Sequence, residues 1–106
     1  MKHALDKIGE SRIRDDIFNY LRQSGLFVWR DKQAYRKTPP NFPESRGCPD
    51  LLGFLKDGRF LAIEVKRPGF EASEPQKVFL KAISDRNHVA FVAHGLSEAI
   101  AKLGEA

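Results

Sequence analysis

The chain has 106 residues, of which 42% are hydrophobic and 30% are charged, and this excludes a disordered tail and a multidomain protein. No apolar run approaches the roughly 20 residues of a membrane span, and the polar start does not resemble a secretory signal. The single cysteine, Cys48, cannot form an internal disulfide and predicts an intracellular setting, while the net charge of +4 permits a polyanionic partner. We therefore predict one folded domain that covers residues 1–106.

The first predicted element is a helix from about Asp6 to Gln23. Apolar residues such as Ile13 recur there at helical spacing, and Gly25 follows at the usual C-terminal place. Glu10 lies three residues before Ile13 and therefore falls on the apolar stripe, whereas Arg14 is assigned to the solvated face. The position of Glu10 suits a functional acid, and it suits equally a first-turn acid favoured by the helix dipole.

A short strand, Leu26–Arg30, follows and places Trp29 in the predicted core. The next segment, residues 31–48, contains three prolines and is predicted to be irregular. It combines aromatic residues with cations, a mixture that suits phosphates and unstacked bases. The cations proposed to contact DNA are Arg36, Lys37 and Arg46. A solvated surface loop would have the same composition, and both interpretations stay open.

The next two strands are predicted to form a hairpin. They cover Asp50–Leu55 and Phe60–Lys66, and the Asp-Gly pair between them tolerates the positive φ of a tight turn. Side chains alternate along a strand, so Glu64 and Lys66 project from the same face near the strand end. The hairpin returns Asp50 to that end. Two acids and a lysine are costly to place beside buried strands, which suggests chemistry.

The remainder of the chain predicts helix, strand and helix. A helix over residues 73–86 holds Gln76 on its inward face near the N-terminus. An apolar strand, Val89–Ala93, and a short helix, Ser97–Leu103, follow it. The order α-β-β-β-α-β-α, with its strand–helix–strand crossover, predicts an α/β fold in which a mixed sheet is flanked by helices on both faces.

The hairpin brings hard oxygen ligands to one place. Asp50 and Glu64 suit Mg²⁺ or Mn²⁺, and the backbone carbonyl of Val65 offers a further oxygen. The sequence has no paired cysteines or clustered histidines of the kind that zinc sites use. Such a cation would favour the hydrolysis of a phosphodiester.

Three more residues extend this predicted site. Lys66 is placed to orient a water and to stabilise developing negative charge. Glu10 is a candidate further ligand, directly or through water, and Gln76 is a candidate for a hydrogen bond to the water or to Lys66. A surface ion pair at a strand end would need only the acids and the lysine, and it would contribute little to stability.

The run Gly47-Cys48-Pro49-Asp50, followed by Glu64-Val65-Lys66 and then by Gln76, resembles the PD-(D/E)xK nuclease superfamily and specifically its VRR-NUC branch. The resemblance covers almost the whole chain. The Val-Arg-Arg signature of that branch is not present as such. It is replaced here by Val65-Lys66-Arg67, with a lysine in the catalytic place.

The resemblance implies a restriction-endonuclease-like fold and a Mg²⁺- or Mn²⁺-dependent DNA endonuclease. Its site would consist of metal ligands and catalytic groups from the hairpin and two helices, namely Asp50, Glu64, the Val65 carbonyl and Glu10 as ligands, with Lys66 and Gln76 beside them. Arg67 joins the loop cations as a predicted DNA contact.

Stand-alone members of this size resemble proteins of phage and bacteria. These are similar to Holliday-junction resolvases in being homodimers that cut branched DNA. The resemblance therefore implies a homodimer in a bacterial or phage-infected host cytoplasm. A less selective nicking or restriction-like nuclease, and a DNA-binding module without catalysis, remain alternatives.

Overall fold

The structure, a computed structural model, describes residues 9–31 and 47–106. Within these ranges three helices and four strands follow the predicted order. They are α1 (Glu10–Gln23), β1 (Phe27–Arg30), β2 (Leu51–Phe54), β3 (Phe60–Val65), α2 (Glu74–Ser84), β4 (Val89–Ala93) and α3 (Leu96–Gly104). Among the described helices, none combines the length and apolar character needed to cross a membrane. The predicted DNA contacts Arg36, Lys37 and Arg46 lie outside the described residues.

The four described strands form one mixed sheet in the order β1-β2-β3-β4. The first three strands pair antiparallel, and β4 lies parallel to β3 after the crossover through α2. The turn between β2 and β3 contains Gly58 at a φ of 93°, the positive value that an Asp-Gly turn predicts. The predicted α/β fold with a mixed sheet is therefore confirmed.

The hydrophobic core lies between one face of the sheet and the helices α1 and α3. Helix α1 contributes Ile17 and Leu21, and β3 contributes Leu61 and Ile63 at alternate positions, all of them buried. Each such side chain stabilises the fold by roughly 1.5–3 kcal/mol because it leaves water. This face of the sheet is filled by packing, and Glu64, the polar residue of β3, projects from the other face.

Among the described elements, α2 alone covers the opposite face of the sheet, over β3 and β4. Strands β1 and β2 present Phe27, Trp29 and Phe54 with 73%, 37% and 43% of their surfaces exposed. The prediction that Trp29 belongs to the core is therefore wrong, because no described element covers its strand on this side. Its ring lies 6.4 Å from that of Phe60. We call Phe27, Trp29, Phe54 and Phe60 the aromatic face.

The first two helices are shorter than predicted. Helix α1 begins at Glu10 rather than Asp6, because Gly9 has an extended backbone with φ −75° and ψ 163°. Helix α2 ends at Ser84, two residues before the predicted end. The start of α1 at Glu10 puts that acid in the first turn, at the positive end of the helix dipole.

Helix α3 begins at Leu96 rather than at Ser97. The carboxylate of Glu98 accepts a hydrogen bond at 3.0 Å from the backbone N–H of His94, just before the helix. This contact links the first turn of α3 to the residue before its N-cap, Gly95.

Candidate active site

The register of the β2–β3 hairpin places two acids side by side. Leu51 pairs with Ile63, so the next residues along the two strands, Asp50 and Glu64, lie opposite each other. The Asp50 carboxylate accepts a hydrogen bond at 2.8 Å from the backbone N–H of Val65. The structure thus brings Asp50 to the end of β3, where the sequence placed it.

Glu64 is a deeply buried acid, with 3% of its surface exposed. Its Oε1 accepts a hydrogen bond from Gln76 Nε2 at 3.0 Å and lies 3.9 Å from Lys66 Nζ. Its Oε2 is buried and has no hydrogen-bond partner among the described residues. Burial, followed by the negative charge of Asp50, raises the pKa of the Glu64 carboxyl to about 9. A bound cation would oppose both causes.

The start of α2 holds Gln76 in one orientation. Gln76 Oε1 accepts from the backbone N–H of Ser73 at 2.7 Å, and the Ser73 hydroxyl accepts from the Gln76 N–H at 3.4 Å, which forms a capping box. Because Oε1 is occupied, the amide nitrogen faces Glu64 as a donor. Gly47 packs against the same helix start, where a side chain would collide with the carbonyl of Pro75. Gly47, the first residue of the Gly-Cys-Pro-Asp run, therefore allows the loop before β2 to approach α2 closely.

Lys66 lies directly after β3 with its amine inside the site. Its side chain is 17% exposed, and Nζ is 3.9 Å from Glu64 Oε1. Its backbone N–H donates to the carbonyl of Ala93 at 3.1 Å, which extends the β3–β4 ladder by one residue. The amine thus extends from backbone that is fixed by the sheet, and this favours a defined position.

Helix α1 contributes a cation as well as the predicted acid. The negative charge of Glu10 is among the causes that raise the pKa of Glu64. Arg14, one helical turn later, has Nη1 3.9 Å from Oδ1 of Asp50. The assignment of Arg14 to the solvated face missed this contact. Its four-residue spacing from Glu10 was the available signal, because residues so spaced lie on one helix face.

The segment after β3 carries the predicted DNA contact Arg67. Its guanidinium carbon lies 4.1 Å from the centre of the Phe70 ring, and the Phe70 N–H donates to the Arg67 carbonyl at 3.1 Å. His94, just beyond β4, has Nε2 2.9 Å from the Phe70 carbonyl and Nδ1 2.9 Å from a Glu98 oxygen. His94 thus ties this segment to α3. No pattern within one element predicts this link, because its residues are far apart along the chain.

Cys48 lies beside the site and carries an unreactive thiol. Burial, followed by the negative charge of Asp31, raises the pKa of the thiol to about 12, and the charges of Glu64 and Asp50 act in the same direction. The thiol is therefore protonated at neutral pH and is a poor nucleophile.

The donor set fits a hard divalent cation that keeps part of its water shell. Within residues 9–31 and 47–106, no group of three or more His, Cys, Asp or Glu side chains is arranged to hold a metal. Asp50 and Glu64 supply two carboxylates, and Mg²⁺ is usually held by one or two together with waters and substrate phosphate. The buried Glu64 Oε2 still lacks a partner within these ranges. Ligation by Glu10 and by the Val65 carbonyl stays a prediction.

The comparisons with known proteins agree with this geometry. The family model of the VRR-NUC domain matches residues 4–97 of the chain. The solved structure of a "VRR_NUC domain protein" is similar to the chain with a TM-score of 0.61, covering 99% of this chain and 89% of that chain at 20% sequence identity. At that identity the likeness concerns the fold. No curated protein matches the sequence.

Proposed function

Because this chain belongs to the VRR-NUC family, a family of nuclease-type domains that act on DNA, we propose that it hydrolyses DNA phosphodiester bonds with Mg²⁺ or Mn²⁺ at the site around Glu64. The observation that carries the proposal is the environment of the Glu64 carboxylate. It is buried beside Asp50, and one oxygen has no partner among the described residues. An acid left in this condition is costly to the fold unless a cation binds to it.

The proposed cation would be held by Asp50 and Glu64, with Glu10 and the Val65 carbonyl as further candidates. When bound, it would lower the pKa of an attacking water and offset negative charge on the reacting phosphate. Gln76 supports this arrangement, because its amide donates to Glu64 Oε1 and leaves Oε2 available.

The basic side chains of the site would have different roles. The Lys66 amine is placed to hold a water in line with the phosphorus and to stabilise charge that develops on the phosphate oxygens. Arg14 lies near Asp50 and would balance the charge of that acid before DNA binds. Arg67 is proposed to contact a phosphate, together with Arg36, Lys37 and Arg46 from outside the described residues.

We propose branched DNA as the substrate and a homodimer as the active form. A domain of 106 residues covers only a short stretch of DNA. Cutting two strands of a junction requires two active sites, and a two-fold dimer supplies them. The intracellular location predicted from the single cysteine is compatible with such a substrate.

The experiment that tests the function is cleavage of a labelled four-way junction, a flap and a linear duplex with Mg²⁺ or Mn²⁺. Preferred cutting of the branched substrates is expected. Equal cutting of all three would replace the branched-DNA proposal with a less selective nicking or restriction-like nuclease. Binding without cutting of any substrate would leave a DNA-binding module.

The role of Lys66 is tested on the same substrates. Lys66→Ala is expected to lower the cleavage rate by about 100- to 1000-fold, because it removes a charge that acts in the transition state. Its affinity for DNA should change much less. A similar loss of affinity and rate would instead assign Lys66 to substrate binding.

A further inference from the structure

The proposed function leaves the aromatic face without a role. It projects from the same side of the sheet as Glu64 but contains no catalytic group. Phe27, Trp29 and Phe54 are exposed at 73%, 37% and 43%, and Val78 of α2 is exposed at 65% across the neighbouring groove. Exposed apolar surface gathered on one side of a small domain marks an interaction site. We propose that this face is the interface through which two copies of the chain pair.

The rings of the aromatic face are in contact with one another across three strands. The Trp29 ring centre lies 5.9 Å from that of Phe27 and 6.1 Å from that of Phe54, and Phe54 and Phe60 are 5.7 Å apart. These separations are those of favourable edge-to-face and tilted pairs. The rings therefore form one continuous surface with a defined shape.

A groove of about 780 Å³ lies next to these rings, between α2 and the sheet. Phe60 belongs both to the aromatic face and to the groove, whose other apolar lining includes Val78, Phe79 and Ile83. The same side of the molecule thus has projecting rings and a cavity beside them. A two-fold dimer needs this combination, because each patch must be complementary to itself.

The charges of this surface favour a second copy over DNA. The described residues that line the groove include one acid, Glu74, and one arginine, Arg86. They lie near opposite ends of α2, so a two-fold axis that crosses the groove would place Glu74 opposite the partner's Arg86. A DNA surface would instead require several cations to neutralise phosphates.

The area is adequate for the centre of a dimer interface. The three exposed rings present about 300 Å² of surface, taking 150–250 Å² for each ring when fully exposed. A stable interface buries about 800 Å² on each partner, usually with an apolar centre and a polar rim. Val78 and the groove walls extend the apolar area around the rings.

The interface would place two active sites beside one another, and in this respect it rests on the proposed function. Phe60 and Glu64 lie on the same face of β3, about 13 Å apart at the usual rise of a strand. Pairing through the aromatic face would therefore put both catalytic centres near the border of the interface, where one branched DNA can reach both.

Trp29 is the single tryptophan of the chain and reports directly on this face. The test combines mass measurement and tryptophan emission of the full chain over a range of protein concentrations. The double variant Phe27→Ser/Phe54→Ser removes exposed rings, and Ile100→Ser, a residue 40% exposed on α3, is the matched control. Circular dichroism checks that each variant is folded.

We expect a dimer whose formation shifts the Trp29 emission to shorter wavelength. The double variant should weaken dimerisation at least about 100-fold, the effect expected when two central contacts of about 1.4 kcal/mol or more are lost. Ile100→Ser should dimerise as the wild type does. A monomeric wild type, or a double variant that still dimerises, would overturn the proposal.

Two further outcomes separate the interface from the chemistry. Quenching of Trp29 emission by oligo(dT) while the protein is monomeric would assign the face to DNA and overturn the proposal. A dimer that loses association in the double variant supports the interface even if no DNA is cut. In that case the proposed nuclease function fails and the interface stands.

Discussion

Two glutamates near the same edge of the sheet have opposite environments. Glu64 is on β3, and Glu98 is in the first turn of α3, just beyond the parallel strand β4. Glu98 accepts hydrogen bonds from Lys102 Nζ at 2.7 Å and from the backbone N–H of His94 at 3.0 Å. Burial alone would raise the Glu98 pKa, but the hydrogen bonds from Lys102 and His94 outweigh it and lower the pKa to about 2.

Glu64 is buried more deeply and is given fewer partners. One oxygen accepts from an amide, and the other has no partner within the described ranges. Burial, followed by the negative charge of Asp50, raises the pKa of Glu64, the opposite direction to that of Glu98. The difference separates two uses of one side chain. Glu98 joins a helix to a strand and is satisfied by the protein, whereas Glu64 is left short of partners at the place where a ligand is proposed to bind.

The largest expected effect is on the rate of DNA cleavage when each of the two acids, Glu64 and Glu98, is replaced by its amide. Glu64→Gln is expected to lower the rate of DNA cleavage at least about 1000-fold, because it removes a proposed ligand of the cation. Glu98→Gln is expected to cleave DNA near the wild-type rate. Its free energy of unfolding should fall by about 1 kcal/mol, a value discounted for partial exposure. Cleavage assays and urea unfolding measure the two effects.

A Glu98→Gln protein that is folded but inactive would break the comparison. It would place Glu98 in the active site, through His94 and the segment of Arg67. If Glu64→Gln still cleaves DNA at the wild-type rate, the contrast between the two acids also fails, because the Glu64 oxygen without a partner would then have no part in the reaction.

The second effect is stabilisation by the cation. Mg²⁺ or Mn²⁺ is expected to raise the free energy of unfolding of the wild type by about 2.7 kcal/mol at a concentration 100 times its dissociation constant. Glu64→Gln should gain much less, and Glu98→Gln should gain as much as the wild type. Thermal unfolding with the metal and with a chelator measures this. An equal gain in Glu64→Gln would show that the cation binds elsewhere.

The third effect is on the pH dependence of stability, where the two acids act in opposite directions. The pKa of Glu64 rises from 4.5 to about 9 on folding, so its contribution to stability is full below pH 4.5 and is lost as the pH rises towards 9. The pKa of Glu98 falls from 4.5 to about 2, so its contribution is full above pH 4.5 and is lost as the pH falls towards 2.

Urea unfolding in a chelator, from about pH 3 to about pH 9, measures both limbs of this profile. In Glu64→Gln, the loss of unfolding free energy as the pH rises towards 9 should be smaller by about 1–3 kcal/mol, the cost of a buried group without a partner. Glu98→Gln should flatten the acid limb and leave the alkaline one. If both variants keep the alkaline limb, a group other than Glu64 causes it.

The sequence predicted one side of this comparison well. Alternation along β3 placed Glu64 and Lys66 on one face, and the alternate residues Leu61 and Ile63 are buried in the core. The Asp-Gly turn set the register that brings Asp50 beside Glu64. Local rules are sufficient here because the hairpin is continuous in sequence. The placement of Gln76 on the inward face near the start of α2 followed from the helical pattern in the same way, whereas its part in the capping box was not predicted.

The features that the sequence did not predict depend on contacts between distant elements. Trp29 is apolar and lies on a strand, but its exposure depends on which helix covers that part of the sheet. Arg14 approaches Asp50 only once α1 has packed against the hairpin. The partners of Glu98 include His94, which also reaches Phe70. Periodicity within one element carries no information on such contacts.

The smallest expected effect concerns Arg67, which is proposed to contact DNA and lies in the segment that His94 links to Glu98. The guanidinium stacks on Phe70, whose carbonyl lies 2.9 Å from His94 Nε2, so the positive charge of Arg67 is held next to Lys66, the proposed catalytic lysine. Arg67→Ala is expected to reduce the slope of log affinity against log salt by about 0.9, the value of one phosphate contact. Arg12→Ala is the matched control, because the Arg12 side chain is 75% exposed and pairs with Asp16 at 3.6 Å. Its slope should be unchanged.

An equal change in both variants would reflect net charge alone. An unchanged slope in Arg67→Ala would mean that His94 and Glu98 hold a segment that does not contact DNA. Glu98 would then contribute only to the stability of the fold.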